Sequence, residues 1–191
     1  MDHADHVSLL REGVVPGVWA DLGSGWGAFT LALADLLGPG SHIHSVDRDG
    51  GMLRRQHEAM AARFPSTQVD YLQADFTRPL PLPRLDGIVM ANSLHFVRQK
   101  EPVLELVGGL LRPGGRLVLV EYDADRGNHW VPFPLSYGTW SKLAAACGFQ
   151  PTRQLHRVPS RFFGAIYSAL SLRSEELQSD STGDPEVGPG G

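Results

Sequence analysis

The feature that most constrains the fold is a repeated alternation of short apolar stretches with helical patterns. Strands are predicted at 17–22, 42–47, 68–75, 85–93 and 116–122, and helices at 5–13, 27–37, 50–63, 101–111 and 136–147. Strands that alternate with helices form a parallel sheet with right-handed crossovers and with helices on both faces. Two more strands are predicted at 152–158 and 162–171. The sequence therefore predicts an α/β fold with a single doubly wound sheet of about seven strands.

Length and composition favour one domain and exclude several classes of protein. The 191 residues suit a single domain over residues 1–173, with a short helix within 1–13, a core over 14–171 and a glycine-rich acidic tail over 174–191 that we expect to be disordered. Cys147 is the only cysteine, which excludes an internal disulfide framework. A net charge of -4 argues against nucleic acid as the partner. With no signal-peptide pattern and no long apolar run, we expect a cytoplasmic protein without membrane association.

The first strand ends in an acid and three alternating glycines. Asp21 is followed by Gly23, Gly25 and Gly27 at the start of a helix. Glycines allow a positive φ and the close approach of a ligand, and the helix N-terminus offers free N–H donors. A plain tight turn is the alternative. Ligands of such sheets bind at the carboxyl ends of the strands, so the pattern favours a binding site here.

The next two strands also end in acids. Asp47 is the last residue of the second strand, where a carboxylate accepts hydrogen bonds from both ribose hydroxyls; a helix-capping or solvated aspartate is the alternative. Asp75 ends the third strand and Phe76 comes next, where a carboxylate can accept from an exocyclic amine and a ring can flank an adenine. The alternative for Asp75 is a cap of the proline-rich loop that follows.

The fourth and fifth strands end in residues suited to an acceptor site. Asn92 and His95 follow the fourth strand, and an imidazole titrates in the range that suits proton removal at neutral pH. A histidine packed over the sheet edge is the alternative. The fifth strand ends in Glu121, Tyr122 and Asp123, and His129 and Trp130 follow; the sequence does not rank them. No metal site is expected, because His42 and His44 share a strand face without a local cysteine or carboxylate companion.

Five motifs in order resemble the class I S-adenosylmethionine-dependent methyltransferases over residues 14–171. They are "ADLGSGWGAFT", Asp47, "QADF", "LDGIVMANSLH" and "LLRPGGRLVLVE". The resemblance implies a Rossmann-like sheet whose last strand is antiparallel. It also implies that the cofactor is S-adenosyl-L-methionine, bound by Asp21, Gly23, Gly25, Gly27, Asp47, Arg48, Asp75, Phe76 and Asn92.

The same resemblance implies a role for each of these residues. The glycine loop, Asp21 and Asn92 would hold the methionine part of the cofactor, and Asp47 would hold the ribose. The remaining three residues would surround the adenine.

The implied reaction is an in-line methyl transfer to a small-molecule acceptor, which leaves S-adenosyl-L-homocysteine. His95 is the candidate general base. The motifs of amino-methylating enzymes acting on adenine or glutamine and of cytosine C5 enzymes are absent from the sequence, and a single cysteine does not suit arsenic methylation.

Several alternatives remain open. One is a methyltransferase-like binding module without catalysis. Another is an NAD-dependent dehydrogenase, because Gly23, Gly25 and Ala28 also satisfy G-x-G-x-x-A. Nucleic-acid methylation through Arg153, Arg157 and Arg161 is disfavoured by the net charge. Either a monomer or a homodimer is expected.

Overall fold

The computed structural model describes residues 1–160 and 162–174. The strands are β1 (Val18–Leu22), β2 (His42–Asp47), β3 (Gln68–Gln73), β4 (Leu85–Ala91), β5 (Leu111–Tyr122), β6 (Arg153–Ser160) and β7 (Gly164–Leu172). The helices are α1 (His3–Leu10), α2 (Ala28–Leu37), α3 (Gly50–Arg63), α4 (Glu101–Leu110) and α5 (Tyr137–Ala146), with a 3-10 turn at Leu94–Phe96.

All seven strands form one sheet in the order β3-β2-β1-β4-β5-β7-β6. The first five strands are parallel to one another, whereas β7 pairs antiparallel with both β5 and β6. This arrangement confirms the predicted α/β sheet, including its antiparallel last strand. The carboxyl ends of β1 to β5 therefore meet at one edge.

Each face of the sheet carries a core covered by helices. On one face, α4 and α5 pack against the sheet around the fully buried Trp140 and Tyr167. On the other, α1, α2 and α3 cover a core that contains Trp19. The Trp19 indole N–H donates to the carbonyl oxygen of Val15 at 2.9 Å, which satisfies its polar atom.

The predicted element bounds hold best where local signals mark them. The bounds of β2 and α3 agree with the prediction, and Asp49 caps α3 by accepting from two backbone N–H groups. Helix α1 begins earlier than predicted because Asp2 forms a capping box with Asp5. Strand β4 ends earlier, at Ala91, because Asn92 has a φ of +51°.

Strand β5 begins at Leu111, not at 116 as predicted. Leu111 pairs with Leu85, and the next pair joins Gly87 to Arg116, so "RPGG" forms a bulge between these two pairs. Gly114 has a φ of +70°, so the predicted turn is present but lies inside the strand. The final strands begin at 153 and 164, one and two residues later than predicted. Arg161 and residues 175–191, which include nearly all of the predicted disordered tail, lie outside the described residues. Within the described part, no helix has the length and apolar character needed to cross a membrane.

Candidate active site

The loop between β1 and α2 is held against the end of β2. The backbone N–H groups of Gly23 and Ser24 both donate to the carbonyl oxygen of Val46, at 2.8 and 3.0 Å. Gly23, Gly25 and Gly27 have φ angles of +78°, +52° and +82°. All three glycines therefore occupy the left-handed region, where other residues are strained.

Only one of these three glycines faces open space. A Cβ at Gly23 would lie 2.5 Å from the Cβ of Ser93, and a Cβ at Gly27 would lie 2.3 Å from the Cγ of Gln56. At Gly25 the nearest atom is the Met52 sulfur, 3.9 Å away. Gly23 and Gly27 are thus required for packing within the chain, whereas Gly25 leaves room for a ligand.

A buried polar network supports the glycine loop. The Thr30 hydroxyl donates to Asp21 Oδ2 at 2.6 Å, and Gln56 Nε2 donates to the Thr30 oxygen at 2.6 Å. The Ser45 hydroxyl lies 2.6 Å from Gln56 Oε1 and 2.8 Å from the Ser24 hydroxyl. The network joins β1, β2, α2, α3 and the loop, so buried hydrogen bonds on the interior side of the loop hold the backbone that faces a ligand.

Asp21 is itself part of this support. It is 1% exposed. Burial raises the pKa of Asp21 to about 7, and the charge of Asp47 adds to the increase, while the hydrogen bond from Thr30 opposes it. The Asp21 carboxyl group is therefore poised to gain or lose a proton near neutral pH.

Asp47 joins the end of β2 to the glycine loop. Its Oδ2 accepts from the backbone N–H of Gly25 and its Oδ1 accepts from that of Asp49, each at 2.8 Å. Because Asp49 caps α3, the alternative of Asp47 as the helix cap is wrong. The exposed Arg48 follows directly. A carboxylate has about four lone-pair sites, so Asp47 retains the capacity to accept from a ligand.

Asp75 caps its own loop, as the alternative interpretation proposed. Its Oδ1 accepts from the backbone N–H of Thr77 at 2.9 Å and from the Thr77 hydroxyl at 2.8 Å. These two bonds, followed by the charges of Arg78 and Arg48, lower the pKa of Asp75 and keep it ionised. Both bonds use Oδ1, so this role does not occupy Oδ2. Phe76 lies against the loop, because a Cβ added at Gly23 would lie 3.1 Å from the Phe76 Cε1 atom.

Asn92 is strained and incompletely hydrogen-bonded. Among the described residues, it is the only non-glycine residue with a positive φ. Its backbone N–H donates to Val120, but its buried Oδ1 has no hydrogen-bond partner among them. Backbone strain and unsatisfied buried polar atoms both concentrate at functional sites. Asn92 is therefore suited to accept a hydrogen bond from a ligand.

His95 is held by a carboxylate from the neighbouring strand. Glu121 Oε1 accepts from the His95 backbone N–H at 3.0 Å, and Oε2 lies 2.8 Å from His95 Nδ1. Glu121 is fully buried, and His95 is 3% exposed. Because an ionised carboxylate only accepts hydrogen bonds, Nδ1 carries the proton of the neutral ring and Nε2 keeps the lone pair.

His95 lines an open cavity of about 390 Å³ at the ends of β4 and β5, here called the aromatic cavity. Its lining residues are Asn92, His95, Phe96, Tyr122, Trp130, Val131 and Phe162. The rings of Trp130 and Phe162 are 74% and 68% exposed, which is unusual for apolar side chains of this size. The cavity thus places one imidazole and one amide among aromatic walls.

A buried lysine fixes the loop that carries Trp130. Lys100 Nζ donates to the carbonyl oxygens of Val97 and Phe133, at 2.8 and 2.9 Å. The Phe133 backbone N–H donates to the His95 carbonyl oxygen at 3.0 Å. Burial lowers the pKa of Lys100. Lys100, Gln56 and Phe162 were not predicted as site residues from the sequence, and Glu121 was not ranked above its neighbours.

One expectation about the histidines of β2 is wrong. His42 and His44 do have a carboxylate companion, because β3 places Asp70 beside them. His42 Nε2 lies 2.7 Å and His44 Nδ1 lies 3.5 Å from Asp70 Oδ2. The sequence spacing concealed this contact, since Asp70 is on a different strand.

Comparison with known proteins identifies the family to which the chain belongs. Residues 20–117, just over half of the chain, match the family described as methyltransferase domain. The ubiquinone/menaquinone biosynthesis C-methyltransferase UbiE of Ectopseudomonas mendocina is 30% identical over 118 residues, which cover 61% of this chain and 46% of that protein. An uncharacterized methyltransferase of Mycobacterium bovis is 31% identical over 148 residues, which cover 75% of this chain and 68% of that protein. The chain spans about half the length of the UbiE proteins that it matches.

Solved structures share the fold. The crystal structure of Burkholderia thailandensis 1,6-didemethyltoxoflavin-N1-methyltransferase, with bound 1,6-didemethyltoxoflavin and S-adenosylhomocysteine, superposes with a TM-score of 0.71 at 21% identity, covering 91% of this chain and 78% of that one. The YcgJ protein of Bacillus subtilis gives a TM-score of 0.72 at 14% identity and covers 91% of this chain and 100% of that one. The motifs, the sheet topology and the family match together show that the chain belongs to the S-adenosylmethionine-dependent methyltransferase family.

Proposed function

We propose that the protein transfers the methyl group of S-adenosylmethionine to a small, largely apolar acceptor that must lose a proton. The observation that carries this proposal is the buried His95–Glu121 pair, of which His95 lines the aromatic cavity at the carboxyl ends of β4 and β5. Two proteins similar to this chain are named as methyltransferases of small molecules, a quinone-biosynthesis C-methyltransferase and a didemethyltoxoflavin N1-methyltransferase.

The residues at the ends of β1 and β2 fit the methionine part and the ribose of the cofactor. Gly25 leaves open space where a Cβ would otherwise project, and Asp47 beside it retains acceptor capacity for the ribose hydroxyls. Asn92 Oδ1 is a buried acceptor without a partner among the described residues, which suits the methionine amino group. Asp21 supports the loop of Gly23, Gly25 and Gly27 from the protein interior, through its hydrogen bond with Thr30. When bound, S-adenosylmethionine supplies an electrophilic methyl group on a sulfonium.

Three residues at the end of β2 and after β3 complete the proposed adenine site. Arg48 and Phe76 flank the adenine, and the free Oδ2 of Asp75 accepts from its amine. The charge of Arg48 acts on Asp75, so the two side chains belong to one surface region. The rival dehydrogenase interpretation is disfavoured because a nicotinamide cofactor would place its pyrophosphate beside Asp21, and by the additional Gly27, whereas Asp47 would suit the ribose of either cofactor.

His95 is the proposed general base. Its Nε2 accepts the proton of the acceptor, and Glu121 stabilises the resulting imidazolium through the Nδ1–H hydrogen bond. An amine already offers a lone pair, whereas a hydroxyl or an acidic C–H group must be deprotonated before or during the transfer. The pair therefore favours acceptors with an acidic O–H or C–H group on an apolar ring, which the walls formed by Phe96, Tyr122 and Trp130 can contact.

Calorimetric titration tests the cofactor assignment. We expect micromolar binding of S-adenosylmethionine and S-adenosylhomocysteine, with at least about tenfold weaker binding in Asp47→Ala, which is equivalent to about 1.4 kcal/mol. Asp35→Ala serves as the matched control, because Asp35 is an exposed acid of α2 that pairs with His3. Binding of NAD in place of both ligands would overturn the proposal.

Methyl transfer to a panel of phenols, enols, activated methylenes and amines, followed by mass spectrometry, tests the base. His95→Asn keeps an N–H donor near the position of Nδ1 but removes Nε2. We expect it to lower kcat on the active acceptor by about 10²- to 10⁴-fold without a change in S-adenosylhomocysteine affinity. Full activity of His95→Asn would refute the base role. Cofactor binding without transfer to any acceptor would instead favour a binding module.

A further inference from the structure

A cluster of metal-ligating side chains lies outside the candidate active site. His42 and His44 are two residues apart on β2 and so share one face of the sheet. Asp70 of β3 stands directly opposite His44 in the strand register. One ring nitrogen of each histidine and one carboxylate oxygen all lie within 4.8 Å of one another. We refer to these three residues as the β2–β3 cluster.

The contacts within the cluster leave one polar atom unexplained. Asp70 Oδ2 lies 2.7 Å from His42 Nε2 and 3.5 Å from His44 Nδ1, and the two rings are 4.5 Å apart at their centroids. His44 is 7% exposed, its Nδ1 faces Asp70 at a separation too long for a good hydrogen bond, and its Nε2 has no hydrogen-bond partner among the described residues. Buried polar atoms are nearly always paired, so the polar capacity of the His44 ring is not satisfied by the described residues.

We propose that the β2–β3 cluster binds a divalent transition-metal ion such as Zn²⁺ through both imidazoles and the carboxylate. A tetrahedral zinc ion with bonds of about 2.1 Å holds its ligand atoms about 3.4 Å apart, which lies within the range of the observed separations. His42 and Asp70 are partly exposed, so their side chains are free to adjust around an ion. Two imidazoles with one carboxylate favour zinc and its transition-metal neighbours over Mg²⁺ or Ca²⁺, which prefer oxygen ligands.

The place of the cluster in the sheet indicates what the ion does. Strand β3 is an edge strand that pairs only with β2, so a bound ion cross-links the edge of the sheet to its interior. His42 begins β2 and Asp47 ends it, a separation of about 16 Å at about 3.3 Å per residue. The ion therefore acts on the stability of the β2–β3 edge and does not contact the acceptor in the aromatic cavity.

Metal titration of the full chain after chelation tests this site. We expect one equivalent of Zn²⁺ to bind at micromolar concentration or below, Co²⁺ to give the visible absorption of a tetrahedral site, and saturating Zn²⁺ to raise Tm by about 4 °C or more. The double variant His42→Gln/Asp70→Asn should melt cooperatively without metal and lose all three effects.

The matched control is His3→Gln/Asp35→Asn, which removes an exposed histidine–aspartate pair of 3.1 Å that has no third ligand among the described residues. This control should bind Zn²⁺ as the wild type does. Equal zinc affinity in wild type and His42→Gln/Asp70→Asn, or no stoichiometric binding by the wild type, would overturn the proposal.

Discussion

Substitution of Gly27 by alanine should destabilise the protein far more than the same change at Gly25. At Gly27 the new Cβ would lie 2.3 Å from the Cγ of Gln56, and the φ angle of +82° is unfavourable for alanine. The left-handed conformation costs about 1–2 kcal/mol. Displacing Gln56 breaks its buried hydrogen bonds to Ser45 and Thr30, which costs about a further 1–3 kcal/mol. The expected loss in the free energy of unfolding is therefore about 2–5 kcal/mol.

Gly25→Ala is the matched control, because its φ of +52° carries the backbone cost but its nearest atom, the Met52 sulfur, is 3.9 Å away. We expect a loss of only about 1–2 kcal/mol. Urea unfolding of both variants measures the difference. Titration with S-adenosylhomocysteine should show a larger loss of affinity for Gly25→Ala than for Gly27→Ala. The folded Gly25→Ala should bind at least about tenfold more weakly than the wild type. Equal destabilisation by both changes would refute the distinction between a packing glycine and a ligand-facing glycine.

Three further substitutions test other parts of the structure. Burial raises the pKa of Asp21 from 3.8 to about 7, so the unfolded chain loses this proton at a lower pH than the folded chain does. As the pH rises from about 4 to about 7, the free energy of unfolding of the wild type should therefore decrease relative to that of Asp21→Asn. Parallel urea-derived stability profiles of the two proteins would contradict this. Gly87→Ala places a Cβ 2.3 Å from the Trp19 ring, and this overpacking should lower the free energy of unfolding by about 1–3 kcal/mol or more. Thermal melts measure the loss, and an unchanged Tm would mean that the ring moves aside without cost. Ser136→Ala removes the hydroxyl that caps α5, which should cost about 1 kcal/mol and lower Tm by about 2–4 °C, whereas an unaltered melt would show that Asp125 suffices to hold this helix end.

Local sequence patterns predicted most of the fold. The strand–helix alternation predicted the parallel sheet, and the predicted ranges 42–47 and 50–63 agree with the observed bounds of β2 and α3. Errors occurred where pairing with a distant strand decides the outcome. Leu111 belongs to β5 because Leu85 lies beside it, and nothing in "RPGG" indicates that contact.

The candidate site was predictable in its positions but not in its contacts. The carboxyl ends of the strands marked Asp47, Asn92 and His95 as site residues. Glu121, however, is separated from His95 by 26 positions, and its hydrogen bond depends on the adjacency of β4 and β5 and on the 3-10 turn between β4 and α4. Asp70 was missed for the same reason, since only the register of β2 and β3 brings it to His44.

The antiparallel direction of β7 brings the connection between β6 and β7 to the aromatic cavity, away from the proposed cofactor residues of β1 and β2. Because β7 starts beside the end of β5, with Tyr122 opposite Ile166, the residues just before it reach the aromatic cavity, and Phe163 lies 5.4 Å from the Tyr122 ring. Phe162, in the connection between β6 and β7, thus forms part of the wall of this cavity, although it lies far from the glycine loop in the sequence. Changes in its length or composition can alter the choice of acceptor while the proposed cofactor residues of β1 and β2 stay the same.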